Sequence, residues 1–473
     1  MKQERIRADL AIIGAGSAGL SVAAGAAQLG LSVVLFERGE MGGDCLNYGC
    51  VPSKALIAAA DAAHAAREAR ALGVGVSDVT VDFPAVMARV HKVIAEIAPI
   101  DSQERFEGLG VRVVRETARF KDRRTVESES VKVTARKVVI AAGSRAAAPP
   151  IPGLDTVPYL TNESLFELTA LPEHLIVLGG GPIGVELGQA FRRLGARVTI
   201  VEAMTLLSKE DSDAAAVVLD QLEADGVTLL AGHKVVRIEP GPVVVAEGPQ
   251  GEVRIAGSHL LVAVGRTPSL KDLNLEAAGV AHDKGGITTN AALRTSNPRV
   301  FAIGDIAGRG QFTHLAGAHA GLFVRRALFA SPINADRLVV PRVTYSDPEL
   351  AAVGLTEAQA RAQHGDAIKV LVSPFADNDR AQAEGDTRGF GKLVLSAKGQ
   401  ILGATLVGAR AGDHLAVWTQ AMTTRLKLSN LTGVIAPYPT RGEINKRLAG
   451  QFYTPTLFSP GVRRLVSVLK RLA

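Results

Sequence analysis

The stretch DLAIIGAGSAGLSVAAGAAQLGLSVVLFE at residues 9–37 decides the fold. Its opening apolar run predicts a buried strand, and Gly14, Gly16 and Gly19 follow in the G-x-G-x-x-G spacing. A helix of small and apolar residues and a second apolar strand come next, ending at Glu37. The helix N-terminus of such a unit binds a dinucleotide pyrophosphate, and the terminal acid accepts hydrogen bonds from a ribose. We therefore predict a Rossmann-like unit in which Glu37 contacts an adenosine ribose.

The same stretch also has the length and polarity of a membrane span, because residues 10–36 carry no charged side chain. Its glycines, however, stand where a strand-to-helix turn and close helix packing require them. Asp9 and Glu37 bracket the unit without the basic flank of a signal peptide. The dinucleotide interpretation is therefore favoured, and no transmembrane segment is predicted.

A second copy of this unit follows later in the chain. Its apolar strand, glycines and terminal acid are residues 175–178, Gly179, Gly181, Gly184 and Glu202. The spacing from Gly14 to Glu37 is 23 positions, and the spacing from Gly179 to Glu202 is the same. Two adenine dinucleotides in one chain indicate a flavin and a nicotinamide coenzyme.

The two cysteines of the chain, Cys45 and Cys50, lie together in GGDCLNYGCVPSK at 42–54. Thiols at this spacing can close a small disulfide or hold a metal ion. Zinc would need two further ligands, and no cluster of histidine and cysteine lies nearby in sequence, so we predict no resident metal. A redox-active disulfide is favoured over two structural cysteines. Because the pair follows the first dinucleotide unit directly, that unit is assigned to FAD and the second to NAD.

Three further motifs, VIAAG at 139–143, VGRTP at 264–268 and AIGD at 302–305, complete a pattern that covers nearly the whole chain. With them the sequence resembles the class I pyridine nucleotide-disulfide oxidoreductases, the family of dihydrolipoamide dehydrogenase, glutathione reductase and mercuric reductase. The resemblance implies an α/β fold with two Rossmann-like domains, for FAD and NAD, and a C-terminal α+β interface domain. It also implies a homodimer with the active site shared across subunits.

The resemblance assigns roles to individual residues. Asp305 would hold the flavin ribitol, and Lys54 and Glu186 would pair beside flavin N5. Cys50 would be the thiol nearest the flavin and Cys45 the outer, exchanging thiol. A helix expected to begin near 52–54 would favour the Cys50 thiolate. The motif glycines assigned to cofactor binding are Gly143 and Gly265.

The motifs also predict the domain boundaries. The expected parts are 1–148 (FAD, first part), 149–281 (NAD), 282–338 (FAD, second part) and 339–473 (interface domain).

One segment departs from the family pattern. Its dithiol- and disulfide-using members carry a C-terminal histidine, followed by proline and threonine and backed by a glutamate, that shuttles the substrate proton. Here APYPTRGE at 436–443 places Tyr438 at the histidine position, while Thr440 and Glu443 match. A tyrosine also stands there in mercuric reductase. That enzyme has a C-terminal vicinal cysteine pair and an N-terminal metal-binding cysteine module, which this chain lacks.

The predicted activity is electron transfer from nicotinamide through FAD and the Cys45–Cys50 disulfide to an unassigned acceptor. A small molecule, a disulfide, a metal ion and a quinone all remain open. Dihydrolipoamide dehydrogenase, a metal-ion reductase similar to mercuric reductase, and a non-catalytic redox-sensing flavoprotein are the alternatives. Glu202 should accept the ribose 2′-hydroxyl and repel a 2′-phosphate, so NADH is expected over NADPH.

Composition agrees with an enzyme of this class. The chain has 473 residues, 47% hydrophobic content and a formal net charge of +6 without a clustered basic face, which disfavours nucleic-acid binding. The low cysteine count and the missing secretory leader predict a cytoplasmic protein. We expect His314 and His319 to be packing or capping residues. The basic, apolar tail from 461 is expected to form a helix that covers the interface domain, with membrane or partner binding as the alternative.

Overall fold

Strands form along the apolar runs that the sequence marks, in a computed structural model that describes residues 3–470. In the N-terminal part they are β1 (Glu4–Ile13), β2 (Val33–Phe36), β3 (Val111–Val114), β4 (Arg119–Phe120), β5 (Thr125–Glu127), β6 (Val131–Ile140) and β7 (Ser144–Ala146). The middle part has β8 (His174–Leu178), β9 (Arg197–Glu202), β10 (Thr228–Ala231), β11 (Lys234–Glu239), β12 (Val243–Gly248), β13 (Gly251–Ala256), β14 (His259–Val262) and β15 (Arg266–Pro268). The remaining strands are β16 (His282–Asp283), β17 (Gly286–Ile287), β18 (Val300–Ala302), β19 (Pro341–Thr344), β20 (Glu349–Gly354), β21 (Ile368–Pro374), β22 (Phe390–Ser396) and β23 (Ile401–Gly408).

Helices connect and cover these strands. Up to the end of the second dinucleotide unit they are α1 (Ser17–Gln28), α2 (Gly43–Asn47), α3 (Cys50–Glu68), α4 (Phe83–Asp101), α5 (Gln103–Gly108), α6 (Pro182–Leu194) and α7 (Ser212–Ala224). The later ones are α8 (Leu275–Ala278), α9 (Thr313–Phe329), α10 (Glu357–His364), α11 (Asp379–Glu384), α12 (Ala411–Thr424), α13 (Leu428–Thr432), α14 (Glu443–Gln451), α15 (Thr454–Leu457) and α16 (Pro460–Leu469).

The first sheet is a Rossmann-like sheet. Its parallel strands are ordered β3–β2–β1–β6, and β18 pairs with β6 in the same direction. The central strands are buried, as expected for a parallel sheet covered on both faces. Because β18 returns to this sheet from far along the chain, the turn that follows it, which contains Asp305, lies beside the first glycine loop.

A second parallel sheet repeats this arrangement in the order β10–β9–β8–β14. An antiparallel meander, β11–β12–β13, packs beside it, and the clustered apolar side chains of both form one core. The fold class is α/β, as the sequence predicts.

The C-terminal part is an antiparallel sheet ordered β19–β20–β23–β22–β21, with helices packed on it. Buried ion pairs attach it to the second unit. Lys392 Nζ lies 2.7 Å from Asp211 Oδ1, and the Arg193 guanidinium lies 2.8 Å from Asp347. These contacts fix the position of the C-terminal part against the second dinucleotide unit.

Two details differ from the sequence predictions. The helix of the cysteine loop, α3, begins at Cys50 and not near 52–54, so Cys50 is itself in the first helical turn. The C-terminal helix α16 forms, but none of its residues is buried. Its expected packing over the C-terminal sheet is therefore wrong within the single chain, because its apolar side chains face outward. Residues 471–473 of that tail lie outside the described residues.

Candidate redox-active site

The first glycine loop is shaped by close backbone contacts. Gly14 has a φ of +105°, and a Cβ there would lie 2.4 Å from the Ala141 carbonyl oxygen. A Cβ on Gly19 would lie 1.8 Å from the Gly14 carbonyl oxygen. At Gly16, by contrast, the nearest atom to a Cβ is 3.9 Å away, so the start of α1 is open. The loop thus leaves room for a pyrophosphate at a helix N-terminus.

The terminal acid of each unit holds its glycine loop. Glu37 Oε2 accepts a hydrogen bond from Ala15 N at 2.7 Å, and Oε1 accepts one from Gly39 N at 2.7 Å. Glu202 makes the equivalent bonds in the second unit. It accepts hydrogen bonds from Gly180 N at 2.8 Å and from Met204 N at 2.9 Å. The two units are therefore alike in detailed geometry as well as in spacing.

The second glycine loop is shaped by the same kind of close backbone contact. A Cβ on Gly179 would lie 2.5 Å from the Ala263 carbonyl oxygen, and one on Gly184 would lie 2.0 Å from the Gly179 carbonyl oxygen. No atom lies within 4 Å of a Cβ placed on Gly181. Gly265, just before β15, has a φ of +123° and an equally open surrounding.

A single cavity of about 990 Å³ brings together most of the residues predicted for the first site. Its lining includes Gly14, Gly16, Glu37, Cys45, Cys50, Lys54, Gly143, Glu186 and Asp305. Gly19 lies beneath the loop. The open glycine at the α1 N-terminus and the carboxylates at the cavity wall fit an adenine dinucleotide such as FAD.

The two thiols face this cavity as free thiols, with Cys45 half-buried and Cys50 exposed. A hydrogen bond from Cys45 lowers the pKa of Cys50, and the Thr313 hydroxyl and the Lys54 charge act in the same direction. Donation to Cys50, together with burial, raises the pKa of Cys45. Cys50 is therefore the thiolate of the pair and Cys45 carries the proton.

Lys54 and Glu186 form the ion pair that the sequence predicts. Lys54 Nζ lies 2.7 Å from Glu186 Oε2, and only 8% of the Glu186 side chain is exposed. Glu186 Oε1 accepts a hydrogen bond from Tyr345 N at 2.9 Å, and Lys54 Nζ lies 4.2 Å from the centre of the Tyr345 ring. A cation–π contact and a buried carboxylate thus hold the ammonium group at the cavity wall.

Asp305 belongs to a second network on the same wall. The Ser144 hydroxyl donates to Asp305 Oδ2 at 2.5 Å and accepts from Arg266 Nε at 2.8 Å. Burial raises the pKa of Asp305. Arg266 also lies 3.1 Å from Asp44 Oδ1, the residue before Cys45, and so links the Asp305 turn to the cysteine loop.

Sequence reasoning missed several of these contacts. Arg266 and Asp44 lie inside motifs that the sequence displays, so their positions carried a signal. Thr313 and Tyr345 lie outside these motifs, so nothing in the sequence marked them as site residues. Each is brought to the cavity only by the fold.

The structure does not bring Tyr438 and Glu443 to this cavity. Over residues 3–470 of one chain, neither residue is among those that line it. Tyr438 is 70% exposed, and its hydroxyl donates to Asp379 Oδ2 at 2.8 Å. This carboxylate raises the pKa of the phenol. Glu443 Oε2 accepts from Thr440 N at 3.4 Å.

The described residues contain no group of three or more histidine, cysteine, aspartate or glutamate side chains that could hold a metal ion. His319 is buried, and its Nδ1 accepts a hydrogen bond from Gly304 N at 3.2 Å. Burial lowers its pKa to about 4. His314 Nε2 contacts the Pro341 carbonyl at 2.8 Å. In residues 3–470 we find no helix of the length and apolar character needed to cross a membrane.

Comparison with known proteins gives the class of this arrangement. The family described as "Pyridine nucleotide-disulphide oxidoreductase" matches residues 8–320, and the dimerisation domain of that family matches residues 340–449. The chain therefore belongs to the pyridine nucleotide-disulphide oxidoreductases. It is an FAD-dependent enzyme that uses a pyridine nucleotide, and its dimerisation domain supports a homodimer.

Similar proteins of this family carry several activities. Mercuric reductase of Streptomyces lividans is 37% identical over 465 residues, covering 96% of this chain and 98% of the relative. Dihydrolipoyl dehydrogenase of Geobacillus stearothermophilus is 34% identical, covering 93% and 95% of the two chains. A structure titled as the Cu(II) complex of the HOCl-induced flavoprotein disulfide reductase RclA from Escherichia coli matches with a TM-score of 0.83 and 30% identity, covering 93% of this chain and 99% of that one.

Proposed function

We propose that this enzyme passes electrons from NADH to a thiophilic metal ion through the Cys45–Cys50 dithiol. One observation carries the choice: Tyr438 stands where a proton-shuttling histidine is expected, and its hydroxyl donates to Asp379. An ordinary phenol has a pKa of about 10. Because Asp379 raises that pKa further, the phenol can donate a proton near neutral pH but cannot accept one.

The proton balance distinguishes the candidate reactions. Oxidising a dithiol substrate requires a base to take up two thiol protons. Reducing a metal ion needs no base for the substrate: Cys45 releases its one proton to solvent as its sulfur binds the ion, two electrons leave the two sulfurs as the Cys45–Cys50 bond forms, and one ion takes both or two ions take one each. A site without an accepting base is therefore better suited to the second reaction.

The thiols meet the needs of such an acceptor. Soft thiolate ligands favour soft metal ions, and Cys50 is the thiolate of the pair. Relatives named mercuric reductase and a similar structure titled as a Cu(II) complex support this choice. Since the chain has only two cysteines, the ion would meet Cys45 directly and not a further cysteine pair.

The proposed cofactor contacts follow from the two glycine loops. FAD, when bound, supplies a ring that accepts hydride from the nicotinamide and reduces the disulfide. The first loop, Glu37 and Asp305 would hold FAD, and the ion pair of Lys54 and Glu186 would fix a positive charge beside its ring. The second loop and Glu202 would hold NADH.

The proposed assembly is a cytoplasmic homodimer in which Tyr438 of the partner subunit faces the cavity. Within each chain the proposed domains are 1–148, 149–281, 282–338 and 339–473.

The proposal is tested by turnover of purified enzyme with NADH and Hg(II), Cu(II), lipoamide, glutathione disulfide or a soluble quinone as acceptor. We expect many turnovers with a metal ion, slow oxidation of dihydrolipoamide in the reverse assay with NAD⁺, and loss of metal reduction in Cys45→Ser with FAD content unchanged. Faster turnover with lipoamide than with either ion would overturn the metal proposal. Undiminished metal reduction by Cys45→Ser would show that the dithiol is not the donor, and a single turnover with every acceptor would favour a redox sensor.

A further inference from the structure

The C-terminal helix α16 (Pro460–Leu469) presents an apolar face that no other part of residues 3–470 covers. Val462, Leu465, Val466 and Leu469 follow the i, i+3, i+4, i+7 spacing, so they lie on one side of the helix. The last three of these side chains expose 57%, 55% and 52% of their surface. The Ser459 hydroxyl accepts a hydrogen bond from Val462 N, so the helix has a defined N-terminal cap.

The apolar surface continues before the helix. Leu457 is 58% exposed and Phe458 is 59% exposed. Both lie beyond residue 449, where the match to the dimerisation domain ends. This surface therefore lies outside the segment that matches the dimerisation domain.

Basic residues flank this apolar face. Arg463 and Arg464 lie on α16 and Lys470 follows its last residue, and all three are exposed. From residue 444 to the end, the sequence has six Lys and Arg and no Asp or Glu, which equals the +6 net charge of the whole chain. The excess positive charge is therefore not spread evenly along the chain: this last segment carries it, and the remainder is balanced.

We propose that α16 docks on an anionic membrane surface, lying in the plane of the headgroups. A short helix with an apolar stripe flanked by Lys and Arg residues is the arrangement that binds such interfaces without crossing them. The apolar side chains enter the boundary between headgroups and acyl chains, and the basic side chains reach back to the phosphates.

A second copy of this chain fits the helix less well. Self-association of α16 about a two-fold axis would bury the apolar faces but would offer no negative charge to the basic residues of either copy. An anionic bilayer offers the opposite charge to every basic residue of the segment. In a homodimer two such helices would act together, and binding would gain from that bivalency.

The test is flotation of the full-length holoenzyme with vesicles of phosphatidylcholine containing phosphatidylglycerol, and with phosphatidylcholine alone. Leu465→Gln/Leu469→Gln removes the apolar face at constant charge and uses a good helix former. Arg463→Gln/Arg464→Gln removes two charges at constant apolar surface. Lys271→Gln/Lys284→Gln is the matched control, since it removes two exposed charges elsewhere on the surface. The oligomeric state of each variant is measured by light scattering, and its FAD content and NADH oxidation are recorded.

We expect binding to the anionic vesicles that weakens roughly 20- to 30-fold in Arg463→Gln/Arg464→Gln. Binding should be lost in Leu465→Gln/Leu469→Gln, and at about 1 M salt, where charges are screened beyond about 3 Å. The control variant should bind as the wild type does. Wild-type protein that fails to float with anionic vesicles at low salt would overturn the proposal, as would equal binding to neutral vesicles. Dissociation of the dimer in Leu465→Gln/Leu469→Gln would show that a second copy covers the face. None of these outcomes bears on the acceptor proposed above, because the helix is outside the cavity.

Discussion

Cys50 Sγ lies 3.3 Å from the Thr313 hydroxyl oxygen, a contact between residues 263 positions apart in sequence. Thr313 is the first residue of α9, so the fold places the N-terminus of this helix and the Thr313 hydroxyl beside the thiolate. A hydroxyl can donate to a thiolate and stabilise its charge. The contact identifies Thr313 as a positioning residue for Cys50.

Replacing Thr313 with Val should raise the pKa of Cys50 without changing side-chain volume much. A hydrogen bond to a charged group contributes about 1.5–3 kcal/mol, and one pKa unit corresponds to about 1.4 kcal/mol, so we expect a rise of about one to two units. The pH titration of thiolate-to-flavin charge-transfer absorbance in the two-electron-reduced enzyme measures it. Thr313→Ser, which keeps the hydroxyl, should titrate as wild type. An unchanged titration in Thr313→Val would remove the assigned role.

The two cysteines should differ in their spectra. Cys50→Ser should abolish the charge-transfer absorbance, and Cys45→Ser should retain it while losing acceptor turnover. Because the pKa of Cys50 is lowered, the wild-type band should persist below the ordinary thiol pKa of about 8.5 and disappear only as pH falls through the Cys50 pKa. Absorbance spectra of reduced enzyme with matched FAD content decide this. A band that survives in Cys50→Ser would show that Cys50 is not the thiol that gives the charge-transfer absorbance.

Coenzyme preference should depend on Glu202. Its carboxylate ends β9 and holds the glycine loop through backbone hydrogen bonds, so it would repel a 2′-phosphate. We expect a higher kcat/KM with NADH than with NADPH, and Glu202→Gln should narrow the ratio by about tenfold, the equivalent of about 1.4 kcal/mol. Glu37→Gln is the matched control at the equivalent acid, and it should affect FAD retention and not this ratio. A kcat/KM that is higher with NADPH in the wild type would show that another group overrides Glu202.

Dihydrolipoamide oxidation should be slow near neutral pH and should rise with pH. The phenol of Tyr438 becomes a base only as pH rises through its raised pKa, and losing a positioned base typically costs about 100- to 10,000-fold in rate. Tyr438→His should recover part of the rate at neutral pH. Asp379→Asn removes the carboxylate that raises the pKa, so its rate should begin to rise at lower pH than that of wild type.

The measurement is the pH profile of that reaction for wild type, Tyr438→His, Tyr438→Phe and Asp379→Asn. Fast wild-type turnover near pH 7 that is insensitive to Tyr438→Phe would mean that another group carries the proton. The substitution at 438 would then say little about the acceptor.

The sequence by itself determined the fold class and the two dinucleotide units. Their glycines and terminal acids are close in sequence, and steric contacts such as Gly19 against Gly14 arise within one turn, so the spacing alone encodes them. The cysteine loop is equally local. Lys54 and Glu186 were identified from the resemblance to the family, and the structure pairs them.

Only the tertiary structure decided which distant groups tune these local motifs. Thr313 at Cys50 and Arg266 at Asp44 are contacts between segments far apart in the chain. The exposure of the apolar face of α16 likewise depends on what packs against the helix within residues 3–470, and not on the pattern of the helix itself. A periodic pattern specifies the element and its apolar side. What covers that side, and which hydroxyl lies 3.3 Å from a thiol, depends on how the whole chain packs, because such contacts leave no regular spacing in the sequence.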